Sequence, residues 1–353
     1  DENVGEAYFV IDGEVRKTNL GPGADLAREF SSQLIAHDSK PLYRADDEDR
    51  AAPRFDSLLA GYVLQSDRSD YDLPNLIQSY LDITPPEAPH LLAAALEPLE
   101  KTMRERLEAE SQTSVLDDIE LPLIPILASM ERKGVCLDRE FLNEYSKELQ
   151  VKIDGVQTHI YELAGEEFNV GSPKQIGAIL FEKMELPGGK KTKTGWATGA
   201  EILEDLADEH EIAAEILNYR ELSKLKSTYS DALPRLIEDD GRIHTTYNQA
   251  VAATGRLSSI DPNLQNIPIR TELGRRIRQA FTAAPGTSLA AFDYSQIELR
   301  VLAHMCEDPA LVKAFTEHED IHRATAALMF QVDLKDVTRE QRGQAKLLNF
   351  AVL

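Results

Sequence analysis

The stretch Ala291-Phe292-Asp293-Tyr294-Ser295-Gln296-Ile297-Glu298-Leu299-Arg300 decides how this chain is read. A short apolar run, Leu289 to Phe292, predicts a strand that ends in the Asp293 carboxylate. Ile297, Leu299, Val301, Leu302 and Met305 then recur near helical spacing and predict a helix at once. An aspartate between a strand end and a helix start can turn its oxygens toward a divalent metal in a cleft. Aspartate is also a common cap or turn residue, so Asp293 alone leaves both readings open. Glu298 is equally two-sided. Ser295-x-x-Glu298 fits a capping box, in which the glutamate reaches back to the cap amide; the alternative sets Glu298 against an incoming sugar.

Upstream, Thr254-Gly255-Arg256-Leu257-Ser258-Ser259 runs through Pro262-Asn263-Leu264-Gln265-Asn266-Ile267-Pro268 to Arg270. This segment reads as a polar surface loop broken by Gly and Pro. Arg, Asn and Gln are also the side chains that reach base edges and sugars in a nucleic-acid groove. Downstream, Arg342, Lys346 and Phe350 stand at i, i+4 and i+8 of a helix expected over 342–353, so they share one stripe. That stripe is an ordinary amphipathic face, or two cations and a ring for a triphosphate and its base. His322, in Asp320-Ile321-His322, is a structural histidine or a further donor to a phosphate.

A chain of 353 residues has room for two or three domains with their own cores. It carries no signal-peptide pattern and no long apolar run, so an intracellular, soluble protein is expected. Cys136 and Cys306 lie far apart and give neither a disulfide framework nor a metal-binding spacing. The net charge of -23 argues at first against phosphate binding, but the acid is unevenly placed. Residues 1–118 carry 25 acidic and 11 basic side chains, whereas 254–353 carry 12 of each. Within 254–278, five arginines face two acids.

Residues 1–34 read as short strands, with Ala7–Ile11 apolar, and a helix; Ala45–Arg50 reads as a charged loop. Helices are expected over Asp56–Leu64 and Leu73–Leu81, and from Leu121 to about Tyr161 with a break at Lys133-Gly134-Val135. Ser172 and Pro173 start another helix, as cap and first-turn residue. Residues 188–195 form a basic loop that lacks the Gly-Lys-Ser/Thr of a P-loop. Helices resume from Ala200 to about Ile237, followed by a strand over Ile243–Gln249.

The three motifs in this order, Thr254 to Arg270, Asp293 to Arg300 and Arg342 to Phe350, resemble the family A DNA polymerases of the bacterial DNA polymerase I type. The likeness covers Tyr219 to Tyr229, similar to the thumb of those enzymes, and extends more weakly to the N-terminal third. It implies a mixed α/β chain with a degenerate RNase H-like 3′–5′ exonuclease domain (1–118) and a helical thumb with its linker (119–253). A partial palm (254–310) and the start of the fingers (311–353) follow. It implies template-directed addition of dNTPs to a primer 3′-hydroxyl, in replication and repair, by a monomer in the bacterial cytoplasm at the nucleoid, with no membrane partner.

Residue by residue, the resemblance makes Asp293 and the carbonyl of Tyr294 ligands of magnesium, of which the family holds two ions. Glu298 is the steric gate against a ribose 2′-hydroxyl. Arg342, Lys346 and His322 bind the triphosphate, Phe350 packs on sugar and base, and Gln296 joins the nucleotide site. Arg256, Asn263, Gln265 and Asn266 contact primer–template DNA, and Arg270 helps hold Glu298 or the template–primer. Lys190, Lys191, Lys193, Lys224 and Lys226 meet the duplex backbone.

Departures from the family pattern matter as well. Leu42 stands where a metal-binding Asp of an active exonuclease is expected, Leu92 to Leu96 lacks the later Tyr and Asp, and Asp12-Gly13-Glu14 reads as a turn. No proofreading is expected. The His-Asp-Glu segment with the second metal-binding aspartate is not among these residues. The chain is therefore expected to be a polymerase fragment that is inactive in synthesis, or in practice a non-catalytic DNA-binding module. Ala351 replaces a usual Gly, and Trp196 a common Tyr. Phe350, where some relatives carry Tyr, implies discrimination against dideoxynucleotides.

Overall fold

In the computed structural model the first apolar run is strand β1 (Glu6–Ile11), paired antiparallel with β2 (Glu14–Asn19) so that Ile11 meets Glu14. The structure describes residues 6–11, 14–19, 31–45, 51–193, 195–269, 271–317 and 319–351. The Asp12-Gly13 turn, most of the Ala45–Arg50 loop, Arg270 and the Phe350 side chain lie outside the described residues. Of the helix expected before residue 35, a single 3-10 turn at Ser31–Gln33 falls within them. The fold is mixed and helix-rich, as the sequence predicts, and divides into two units, residues 1–287 and 288–353.

In the first unit, β3 (Ile35–Ala36) pairs antiparallel with β1 and parallel with β4 (Phe55–Asp56), giving the order β2-β1-β3-β4. Around this sheet come α1 (Lys40–Arg44), α2 (Ser57–Leu64), α3 (Leu73–Leu81), α4 (Leu96–Ala109) and α5 (Leu121–Lys133). Phe55, Leu76, Leu99, Met103, Leu107 and Ile124 close one core. Each such side chain contributes about 1.5–3 kcal/mol on burial. Asp56 starts α2 by accepting from the amides of Leu58 and Leu59.

The helical run breaks where expected. Gly134 ends α5 at φ 55°, and a Cβ there would sit 2.7 Å from the Ile243 carbonyl, so only glycine fits. The chain continues into β5 (Val135–Leu137) and the long helix α6 (Arg139–Ala164), capped by Asp138. Ser172 caps the short helix Pro173–Gly177 as predicted. The basic loop contains a small hairpin, β6 (Lys191–Thr192) against β7 (Gly195–Trp196). Helices α7 (Ala200–Ala207) and α8 (Glu211–Leu225) follow; Ile160 of α6, Leu203 of α7 and Ile216 of α8 meet in a second core.

The strand expected over Ile243–Gln249 is divided into β8 (Arg242–Ile243) and β9 (Thr246–Asn248). Between them the buried Thr245 hydroxyl lies 2.7 Å from Ser259 Oγ and 2.9 Å from the Ile260 carbonyl, which anchors the corner. Strand β10 (Ser258–Ile260) pairs antiparallel with β9. Helix α9 (Glu272–Arg278) precedes β11 (Phe281–Thr282), which joins β5 and β8 in the order β11-β5-β8.

Among its described residues the second unit has the α-helices α10 (Ile297–Cys306), α11 (Pro309–Thr316), α12 (Ile321–Phe330) and α13 (Arg339–Ala351), with a 3-10 turn at Leu334–Asp336 between the last two. Leu299, Ala314 and Ile321 form one small core; Ala326, Val337 and Ala345 form another, where the alanines let α12 and α13 approach closely. Two expectations fail here. Residues 288–294 carry neither helix nor strand, so the strand predicted at Leu289–Phe292 is absent, and Phe292 is 94 % exposed. A strand needs a neighbour to satisfy its amides, and no strand among the described residues pairs with this run. The Ser295-x-x-Glu298 capping box does not form either. Gln296, left-handed at φ 54°, caps α10 without a side-chain bond, while Ser295 receives Arg300 through its carbonyl at 2.9 Å. Among the described residues no helix is long and apolar enough to cross a membrane.

Candidate active site

A cleft of about 450 Å³ in the second unit is lined by Asp293, Tyr294, Ser295, Gln296, Ile297, Glu298, His322, Arg342 and Lys346. The structure thus gathers every residue that the sequence assigned to metal and nucleotide, apart from Phe350, into one place. They come from three elements: the loop and first turn of α10, the start of α12, and one face of α13.

Each element has a local reason for its position. Asp320 caps α12, its Oδ1 accepting from the amides of His322 at 3.1 Å and Arg323 at 3.2 Å. This fixes His322 in the first turn. Helix α13 starts at a true capping box: Gln341 N donates to Thr338 Oγ1 at 3.2 Å, and Thr338 N donates to Gln341 Oε1 at 2.9 Å. With Ala345 fully buried toward α12, the i, i+4 pair Arg342 and Lys346 lies beside it and reaches the cleft.

Asp320 also accepts from Arg342 Nε through Oδ2 at 2.7 Å, so one carboxylate both caps a helix and holds an arginine of the next. Burial pushes the Asp320 carboxyl up, but the Arg342 bond and the Arg323 amide outweigh it and hold it below its usual range. His322 is 2 % exposed. Its burial, and then the nearby Arg342 and Lys346, hold its pKa below the ordinary histidine value against the pull of Asp320. Asn349 donates from Nδ2 to His322 Nδ1 at 3.0 Å, and Thr325 Oγ1 lies 3.1 Å from Asn349 Oδ1.

Asp293, Tyr294 and Glu298 are exposed. Among the described residues no group of three or more His, Cys, Asp and Glu side chains gathers as a ready cage. The cleft instead is lined by two hard-oxygen carboxylates, Asp293 and Glu298, together with two cations, Arg342 and Lys346. That donor set suits magnesium, which takes one or two carboxylates and completes its shell with water and phosphate oxygens.

The residues expected to meet a duplex lie in the first unit. Arg256, Asn263, Gln265 and Asn266 are exposed on the loop that contains β10. Gln265 Nε2 donates to the Leu257 carbonyl at 2.9 Å, and Asn263 Oδ1 accepts from Gln265 N at 3.0 Å, so the loop is internally tied. Lys190, Lys191 and Lys193 are exposed around the β6–β7 hairpin, with Lys191 4.9 Å from the Trp196 ring centre. Lys224 is exposed, whereas Lys226 is paired with Asp231 at 2.7 Å.

Sequence reasoning missed Asp320, Thr325 and Asn349. Asp320 carried a signal, an aspartate directly before a helical pattern. The other two are polar residues within helices, and their role rests on a contact between helices that no local pattern encodes.

A profile of DNA polymerase family A matches residues 139–353. DNA polymerase I of Pseudomonas aeruginosa is 48% identical over 327 residues, 85% of this chain and 36% of that protein. DNA polymerase I of Geobacillus stearothermophilus is 50% identical over 273 residues, 76% of this chain and 31% of that protein. Among solved structures, the POL domain of Pol1 from M. smegmatis, in complex with DNA primer-template and dNTP, superposes with a TM-score of 0.86 at 36% identity. That match covers 98% of this chain and 64% of the other. The chain spans about a third of the length of these curated relatives.

Proposed function

The chain belongs to DNA polymerase family A, and we propose that its 288–351 cleft binds a magnesium-bound dNTP for template-directed addition to a primer 3′-hydroxyl. The observation that carries this reading is the convergence of Asp293, Glu298, His322, Arg342 and Lys346 on one cleft. Two cations four residues apart on α13 match the spread of negative charge along a triphosphate. Asp293 and the Tyr294 carbonyl would hold magnesium, which when bound lowers the pKa of the attacking hydroxyl and offsets charge on the leaving pyrophosphate. Arg342 and Lys346 orient the phosphates, and His322 adds a donor. Glu298, exposed at the cleft wall, excludes a ribose 2′-hydroxyl. Phe350 stacks on sugar and base and, as Phe, favours deoxy over dideoxy substrates.

Arg256, Asn263, Gln265 and Asn266 touch the minor groove, whose shared acceptors let pair shape be checked without reading sequence. Arg270 supports the same contact. Lys190, Lys191, Lys193, Lys224 and Lys226 meet duplex phosphates, Lys226 after leaving Asp231. Residues 1–118 form the degenerate exonuclease-like domain, 119–253 the thumb and linker, 254–310 a partial palm and 311–353 the first fingers helices. Leu42, half-buried, and Leu96, 2 % exposed, pack as apolar residues where metal ligands would be needed, which supports the absence of proofreading. The protein works as a bacterial cytoplasmic monomer on primer–template DNA. These 353 residues supply one metal-binding aspartate of the expected two, so alone they bind rather than extend.

The test is primer extension by the protein as its source cell makes it. Incorporation that follows the template and disappears in Asp293→Ala is expected. Untemplated or absent incorporation, or extension untouched by Asp293→Ala, would overturn the reading.

A further inference from the structure

His322 is held on one ring nitrogen by a chain of side chains that the catalytic reading leaves unexplained. Asn349 Nδ2 donates to His322 Nδ1 at 3.0 Å. The other end of the amide, Oδ1, is 3.1 Å from Thr325 Oγ1, one turn along α12 from the histidine. Thr325 Oγ1 also lies 2.9 Å from the Ile321 carbonyl. A hydroxyl has one proton; the Ile321 carbonyl already receives the helix amide, so the proton is better used on Asn349 Oδ1.

An imidazole nitrogen that accepts a hydrogen bond cannot carry a proton, and a neutral ring then carries it on the other nitrogen. We propose that Asn349, oriented by Thr325, is a positioning residue that holds His322 as the neutral tautomer protonated on Nε2. This deepens the nucleotide-site reading and rests on it for its consequence: the cleft meets a triphosphate with two cations and one uncharged donor, not three cations.

The chemistry favours that arrangement. Arg342 and Lys346 already supply positive charge beside a ring that is 2 % exposed. A third cation, and a buried one, would be costly in the free cleft, and burial with those two neighbours keeps the ring's pKa low. An uncharged donor adds direction to phosphate recognition without that cost. An amide turned end for end would set Oδ1 against Nδ1 and require the opposite tautomer, so the proton's position decides between the two arrangements.

The experiment is nitrogen NMR of the 353-residue chain with 15N-labelled histidine, the His322 signals being assigned by their loss in His322→Gln. At neutral pH the wild type should show an unprotonated Nδ1 and a protonated Nε2, and Asn349→Asp should move a proton onto Nδ1. A protonated Nδ1 in the wild type, or an unchanged pattern in Asn349→Asp, overturns the proposal. The wild-type spectrum decides even if the variant does not fold. Titration with dATP and magnesium separates the two readings. Asn349→Ala should weaken binding about tenfold, the loss of one oriented bond to a charged group. Unchanged affinity in that variant sinks the positioning role. If the wild type binds no dATP while showing the expected tautomer, the nucleotide reading fails and the Asn349–His322 assignment stands.

Discussion

Two aspartates, Asp56 in the first unit and Asp293 in the second, have opposite fates. Asp56 is 1 % exposed, and its oxygens accept from the amides of Asp38, Ser39, Leu58 and Leu59 and from the Ser39 hydroxyl. Every lone pair is occupied by the protein itself. Asp293 is exposed on a loop without regular structure and lines an open cleft. A carboxylate saturated by its own chain stabilises the fold; one left to solvent is available to a metal or a ligand. Asp56 serves the first unit as mortar, whereas Asp293 stays exposed at the cleft of the second.

That division is open to direct attack. The largest expected effect is on synthesis: in the protein as its source cell makes it, Asp293→Ala should lower primer extension by about a thousandfold, as removal of a main electrostatic element of a transition state does, while the urea midpoint of the 353-residue chain stays put. Asp56→Ala should do the reverse. Chemical denaturation should register a loss of about 3 kcal/mol from the stranded amides and hydroxyl; a neutral result would mean that Asp56 is not mortar. Next in size, Arg342→Ala and Lys346→Ala should each weaken dNTP binding about tenfold to a hundredfold, measured by calorimetry in low salt. Asp320→Asn should have a smaller effect, a few-fold in dNTP affinity, because the helix cap survives and only the charge holding Arg342 is lost.

The smallest effect is pH-dependent. His322 has a folded pKa below its unfolded value, so its neutral form contributes stability above the unfolded pKa. That contribution is lost as pH falls, first through the unfolded and then the folded value. Urea midpoints between pH 7.5 and 5 should therefore fall more steeply for wild type than for His322→Gln. Parallel slopes would remove His322 from the list of groups that the fold holds neutral.

Local signals were legible where a residue acts on its own neighbours. The helix at Leu73–Leu81, the break at Gly134 and the Ser172 cap follow from periodicity, a positive φ and a hydroxyl before a helix. Non-local pairing was not. Leu289–Phe292 has strand composition, but no described strand accepts its amides, and composition alone cannot make a ladder. Ser295 and Glu298 have capping-box spacing, yet Arg300 takes the Ser295 carbonyl and Gln296 turns left-handed, so the box never closes. The site shows the same limit. Asp293, His322, Arg342 and Lys346 were visible as motif residues, whereas the Asp320–Arg342 bond spans 22 positions and Thr325–Asn349 spans 24.

The central claim, that the cleft between Asp293 and Lys346 receives a magnesium-bound dNTP, is tested most directly by calorimetric titration of the 353-residue chain with dATP. Magnesium is either present or removed by chelator, and the double variant Arg342→Ala/Lys346→Ala serves as the comparison. Saturable binding that weakens without magnesium and disappears in the double variant is the expected result. No binding by the wild type, or binding that survives loss of both cations, would contradict it.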